Sequence, residues 1–330
     1  MALLRLTLAC GDYDRTRALR DGTVRVEGVE LNYLPMGPEE AFWRMEQFEE
    51  FDASEMSMGN YIIERGRGSD RFIAIPVFPS RSFRHNAIYV NTDAGIERPE
   101  QLKGKRMGVP EYNVTAAVWV RALLQHDYGV RPEDIRWFQG GLHDPGRAEK
   151  AMGTLPPGVR VDPIPPGKTL DAMLEAGELD AVHAPRMPNC FARRSPRVRR
   201  LFPDFRAAEA EYYRRTRIFP IMHTIVIRRE VYRANPWVAE SLYKAFAEAK
   251  ARCMAALYNT AALPYMLPWM IEEFEAAREL MGDDYWAYGW EPNRHVLEAF
   301  TQYAYEQGLT PERLPPETLF APSTLQTYKV

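Results

Sequence analysis

Short apolar runs alternate with helical patterns from the first residues onward, and this order limits what the chain can fold into more than any other feature. Arg5 to Ala9, Val29 to Leu34, Ala53 to Met56, Phe72 to Val77, Ala87 to Asn91 and Arg106 to Val109 read as strands. Tyr13 to Leu19, Pro38 to Phe48, Tyr61 to Gly66, Thr115 to Tyr128 and Thr169 to Ala176 read as helices, and Leu179 to His183 resumes a strand. Strands that take turns with helices build an α/β protein with largely parallel sheets. From Asn235 to Leu257 apolar residues recur at helical spacing behind Pro236, so the C-terminal third is helix-rich. Residues 153–168 carry five prolines, too many for a regular element, and read as a loop bordering a site.

A chain of 330 residues suggests two domains. Asn86 to Thr92 and Ile218 to Arg228 are strand-like and suit the two crossings of a chain that leaves one lobe, builds a second and returns. Expected are a discontinuous first lobe, 1–88 plus 222–330, and an inserted second lobe, 89–221. The cleft between them is the expected ligand site, since strand C-termini and helix N-termini converge there.

Composition removes several classes. With 42 basic and 45 acidic side chains the formal charge is −3, which argues against a general nucleic-acid binder. No apolar run is long enough to span a membrane. Arg5 interrupts the short apolar start, so a cytoplasmic location is expected rather than export. Cys10, Cys190 and Cys253 are widely spaced and fit reduced thiols better than a disulfide framework or zinc site. Phosphate-loop, dinucleotide, zincin and nucleophile-elbow motifs are absent. Asp12-Tyr13-Asp14 reads as a helix start.

Candidate chemistry gathers at strand ends. Ser80, Arg81, Ser82, Arg84 and His85 follow a strand, and such cationic and hydroxyl groups suit a carboxylate, with a solvated turn as the alternative. Gly108 to Leu124 is a strand end entering a helix, with Asn113 or Thr115 near the cap, favourable to an anion. Glu111 beside that end is a candidate proton carrier. His85, His183 and His223 stand at expected strand ends or crossings and suit acid–base chemistry, or metal ligation together with Glu111. Between Arg186 and Arg217 ten arginines face three acids, read as a solvated face. Trp43, Trp119, Trp237, Trp269 and Trp286 read as core.

Several segments together are similar to the 4,5-dihydroxyphthalate decarboxylase family: SEMSMGNYI at 54–62, PVFPSRSFRH at 76–85, LKGKRMGVPEYNVTAAVWVR at 102–121, IFPIMHTIVIRR at 218–229 and NPWVAESLYKAF at 235–246. GELDA at 177–181, APRMP at 184–188 and EQGL at 306–309 extend the resemblance over nearly the whole chain. It implies a two-lobed type II periplasmic-binding-protein-like fold with two crossover strands. The implied reaction converts 4,5-dihydroxyphthalate to protocatechuate and carbon dioxide. The chain departs from the family pattern where Tyr112-Asn113-Val114-Thr115 replaces Tyr-Gln-Met-Thr and Trp286-Ala287-Tyr288-Gly289 replaces Trp-Pro-Tyr-Gly, and His183 is a further departure.

On this resemblance His85 and His223 are the expected acid and base, with Glu111 in reserve. Ser57, Asn60, Arg81, Arg84, Asn113, Thr115, His183 and Arg186 are the expected substrate contacts. No cofactor is expected, a divalent metal being the alternative. The expected partner is a small aromatic carboxylate, with neither nucleic acid nor membrane, and a homo-oligomer is left open. The rival function is a solute-binding protein for an aromatic or heterocyclic carboxylate, using the same fold without catalysis.

Overall fold

The computed structural model describes residues 3–146 and 154–326; Gly153, first of the proline-rich stretch, lies outside the described residues. The strands are β1 (Leu4–Cys10), β2 (Val29–Pro35), β3 (Ala53–Ser57), β4 (Phe72–Ile75), β5 (Ile88–Asn91), β6 (Arg106–Val109), β7 (Arg136–Gln139), β8 (Val161–Pro163), β9 (Ala181–His183), β10 (Val198–Arg200) and β11 (His223–Arg228). The helices are α1 (Arg17–Arg20), α2 (Pro38–Phe48), α3 (Met58–Gly66), α4 (Thr115–Tyr128), α5 (Leu170–Ala176), α6 (Asn189–Ala192), α7 (Phe205–Thr216), α8 (Arg229–Ala234), α9 (Val238–Leu257), α10 (Met270–Met281) and α11 (Arg294–Glu306). Two compact units result, Met1–Arg81 with Ile221–Glu298 and Pro315–Val330, and Ser82–Pro220 with Ala299–Leu314.

The first unit holds a five-stranded sheet ordered β2-β1-β3-β11-β4. β1 runs parallel to β2 and β3, whereas β11 is antiparallel to β3 and β4. Every residue of β3 is buried, as befits a central strand covered on both faces. Prolines set the strand limits. β4 stops at Ile75 because Pro76 follows, and β11 begins only at His223 rather than at Ile218 because Pro220 has no N–H for a ladder. The N–H groups of Met222 and His223 donate to Ser80 O at 2.9 and 3.3 Å instead. The helix expected over 13–19 is split into a 3₁₀ turn at Asp14–Thr16 and the short α1. Thr16 Oγ1 donates back to Gly11 O at 3.2 Å, a hydroxyl competing with helical hydrogen bonding.

The second unit holds a six-stranded sheet ordered β10-β5-β9-β6-β7-β8. β6, β7, β8 and β9 pair in parallel, and β5 is antiparallel to β9 and β10. Alternate residues feed two cores: Ile88 and Val90 pack with Met107, Val109 and Ala181, while Tyr89 packs with Leu170, Leu174 and Val182. Each such fully buried large apolar side chain contributes roughly 1.5–3 kcal/mol. The proline-rich stretch is not wholly a loop. β8 lies inside it, and Pro163 is tolerated because β8 is an edge strand with one side unpaired.

The segment 299–314, expected in the first lobe, belongs with the second unit. Gln307 explains this: its Oε1 accepts from Arg121 Nε at 2.7 Å, and its Nε2 donates to Val118 O at 3.0 Å. Trp119 and Phe300 stack nearby with centroids 5.3 Å apart. Three of the expected core tryptophans are exposed: Trp43 at 47%, Trp237 at 44% and Trp269 at 69%. Helical spacing alone cannot tell which face meets a partner. Eight of the ten arginines between Arg186 and Arg217 are exposed, so that stretch is a solvated face. Among the described residues no helix is long and apolar enough to cross a membrane.

Candidate functional site

In the first unit the chemistry is organised by Glu55, whose side chain has no solvent exposure. It sits at the centre of β3, where β1 on one side ends at Cys10 and β11 on the other supplies His223. His223 is opposite Ser57 in the ladder, so Glu55 is its diagonal neighbour on the same face. Oε1 of Glu55 lies 2.6 Å from His223 Nδ1 and accepts from Tyr13 Oη at 2.9 Å; Oε2 accepts from Gly11 N at 2.9 Å and faces Cys10 Sγ at 3.6 Å. Burial alone would push the carboxyl up. The hydrogen bond and charge of His223, with the Gly11 and Tyr13 donors, outweigh it and hold Glu55 below the usual carboxylate range.

An ionised carboxylate accepts only, so His223 Nδ1 carries the hydrogen and Nε2 is left as the working nitrogen. The imidazole is partly exposed, with its edge against Phe42 at a centroid distance of 4.9 Å. Tyr33 Oη completes the floor by donating to Gly11 O at 2.7 Å. Burial, then the Glu55 charge, raises the Cys10 thiol well above its ordinary value, so it stays protonated.

Arg15 is held between the Tyr13 and Trp286 rings, 4.1 and 4.5 Å from their centroids, and donates from Nε to Pro79 O at 2.6 Å. Buried Arg81 donates from Nη2 to Ala287 O at 2.7 Å and to Asn293 Oδ1, while Asn293 Nδ2 ties Gly289 O at 2.8 Å. That nitrogen of the expected carboxylate anchor therefore holds the Trp286 to Gly289 turn. Tyr288 in this turn is buried, and its hydroxyl has no hydrogen-bond partner among the described residues. Ser57 caps α3, accepting from Asn60 N at 3.4 Å, and Asn60 Nδ2 donates to Glu46 Oε1 at 2.8 Å. Asn60 thus has a structural use for its amide.

In the second unit, β6 and β9 run in parallel with Gly108 opposite Val182, so the turn after Val109 lies beside His183. Glu111, Asn113 and Thr115 on this turn are all buried. The cap position of α4 is Val114, whose side chain makes no capping bond, so Asn113 and Thr115 flank the cap as expected. His183 is 1% exposed, with Nδ1 3.1 Å from Ala87 O. Burial, then the charges of Arg84 and Arg121, holds it down at about 3, so it is a neutral imidazole near pH 7.

His85 is buried among aromatic rings, edge-on to Phe202 at 5.1 Å and Tyr212 at 5.4 Å. Burial, then the Arg215 charge, lowers it to about 4. His85 and His223 were expected as acid and base between them, and an imidazole neutral at pH 7 is not the acid of that pair. Arg84 is lowered to about 10 by burial despite the opposing Glu209, which burial raises to about 7. Arg186 is exposed. His85 and His223 therefore belong to different units and have unlike surroundings. Among the described residues no three His, Cys, Asp or Glu side chains are grouped as a metal-binding set.

Glu55, Tyr13, Arg15 and Tyr288 were not among the expected site residues. Glu55 carried one signal, an acid inside an otherwise buried strand, which a protein retains only with several donors around it. The Asp12-Tyr13-Asp14 turn is a helix start as expected, but its working member is the tyrosine between the acids.

Comparison with known proteins places this geometry in a class. The periplasmic aliphatic sulphonate binding protein SsuA from Escherichia coli covers 98% of this chain with a TM-score of 0.56 at 15% identity, and the match covers 99% of that chain. The sulfonate-binding protein SsuA from Methylobacillus flagellatus gives 0.54 at 12% identity, covering 98% of this chain and 93% of its own. The chain thus has the periplasmic-binding-protein fold, here with a buried carboxylate paired to a partly exposed histidine. It is 43% identical over 330 residues to the 4,5-dihydroxyphthalate decarboxylase of Comamonas testosteroni, covering all of both chains. Over 214 residues it is 44% identical to that of Pseudomonas putida, covering 65% of this chain and 83% of the other. The chain belongs to the 4,5-dihydroxyphthalate decarboxylase family. No protein-family model matches it.

Proposed function

We propose that this protein is a carboxy-lyase that removes one carboxylate from 4,5-dihydroxyphthalate, giving protocatechuate and CO₂. The observation that carries this reading is the 43% identity along the full length of a curated enzyme of that name. The binding proteins share only the fold at 12–15% identity, so the decarboxylase stands above the carrier reading.

Direct loss of CO₂ from an aromatic ring would leave an aryl carbanion, so protonation comes first. The ring carbon bearing the leaving carboxylate gains a proton while the para-hydroxyl pushes electron density into the ring. The quinoid intermediate then expels CO₂, the C–C bond pair restores aromaticity, and the net change is one proton in and one CO₂ out. We assign the proton to His223 Nε2. Glu55 orients that ring and stabilises the positive charge it carries as an acid, and Tyr13 and Gly11 keep Glu55 ionised. Glu111 is the second candidate acid.

No metal is needed in this scheme, because the proton added to the ring carbon makes the ring the acceptor of the electrons of the breaking bond. The test is to mix chelator-treated protein with 4,5-dihydroxyphthalate and follow both substrate and protocatechuate by chromatography. Stoichiometric product over many turnovers is expected. Saturable binding without turnover would restore the carrier reading, and turnover only after addition of a divalent ion would require a metal.

A further inference from the structure

His183 ends β9 with one ring nitrogen used and the other idle. Ala87 O can only accept, so the 3.1 Å contact requires that Nδ1 carry the hydrogen. Nε2 is then a lone pair and nothing else. It is buried, and among the described residues no donor reaches it. A buried acceptor left without a hydrogen bond is unfavourable, a cost that a ligand offering a hydrogen would remove. The strand pairing places this nitrogen's residue beside the β6–α4 turn that carries buried Glu111, Asn113 and Thr115, all within one unit.

We propose that His183 selects hydroxylated rings: its Nε2, fixed as an acceptor by the Nδ1–H bond to Ala87, takes the hydrogen of a ring hydroxyl. The inference rests on the aromatic-carboxylate reading above and adds what that reading lacks, a reason for preferring a hydroxylated ring to the bare one. A carboxylate oxygen or a ring C–H cannot satisfy Nε2. A site built to bond a hydroxyl discriminates strongly against the analogue without it, because its own polar group is then left unpaired. The low proton affinity of this buried imidazole keeps Nε2 an acceptor across the neutral range.

The experiment measures dissociation constants by calorimetry for protocatechuate and benzoate, which differ only in the two hydroxyls and carry no second carboxylate to lose. The wild-type chain should prefer protocatechuate at least tenfold. His183→Phe, which keeps the ring and removes the acceptor, should lose most of that preference while benzoate affinity stays within about twofold. A folded His183→Phe protein that keeps the preference would overturn the proposal and leave Nε2 to a bound water. Should that variant fail to fold, ¹⁵N-histidine NMR on the wild type decides: the Nε2 signal of His183 should move with protocatechuate and not with benzoate, and no movement would overturn it. Turnover of 4,5-dihydroxyphthalate with an unaltered preference in the variant sinks this inference alone. Absence of both turnover and protocatechuate binding in the wild type sinks the functional reading with it.

Discussion

His223 Nδ1 lies 2.6 Å from Oε1 of Glu55, a carboxylate with no exposed surface that two neighbouring donors, Tyr13 Oη and Gly11 N, also hold. A charge so deeply buried is retained only if its hydrogen bonds are complete, and here they fix an imidazole in one orientation. Glu55 thereby acts through His223 and is a positioning residue.

Glu55→Gln keeps the shape and removes the charge. Turnover should fall by about 10²-fold or more, with KM changed only a few-fold, and His223→Ala should fall similarly. The double variant should be little worse than either single one, because the two act as a unit. Steady-state kinetics on the four proteins checks this, and additive losses would separate the pair.

Tyr13→Phe removes one of the donors to Glu55 and nothing else of the pair. The expected cost is about 0.5–3 kcal/mol of stability, since a hydrogen bond to a buried charge is lost. Urea unfolding at neutral pH measures it, and a variant as stable as the wild type would show that Glu55 is satisfied without Tyr13.

Acid should weaken the fold early. His85 and His183 are held down at about 4 and about 3, so between about pH 6.5 and 4 the unfolded chain takes up protons that the folded chain refuses. Stability is therefore full above pH 6.5 and falls as pH drops, by up to about 1.4 kcal/mol per pH unit for each histidine. Glu55 adds a later loss, as pH falls below its unfolded value and through its depressed folded one. His85→Phe should flatten the slope between pH 6.5 and 4, read from urea midpoints, while leaving turnover within a few-fold. A large fall in turnover would return His85 to the mechanism.

Gln307→Leu should destabilise the protein by about 1–3 kcal/mol, because Arg121 Nε and Val118 O lose the side chain that satisfies them. Chemical unfolding of the purified variant tests this, and a loss below about 0.5 kcal/mol would show that solvent replaces the amide.

On the proton-only scheme, removing divalent ions should leave turnover intact. Dialysis against chelator with metal analysis, followed by assay, checks it; activity that tracks residual metal would contradict the proton-only scheme.

Local periodicity by itself determined most elements: α2 and α4 occupy the expected spans, as does β6, because apolar spacing, Pro38 at a helix start and Gly129 at a helix end act over a few residues. Motif segments spread along the chain likewise carried the family. What a side chain does once folded is set by residues far away in sequence, and only the tertiary structure decided it. His85 and His223 look alike in sequence, yet one is packed against Phe202 and Tyr212 and the other is backed by Glu55, 168 residues away. Glu55 itself is an ordinary acid until strands β1 and β11 are laid beside it. Pro163 forbids a central strand but not an edge, and only the strand order shows which it occupies. Burial and hydrogen bonding, which set charge and proton affinity, are properties of the assembled sheet and not of the run of residues that enters it.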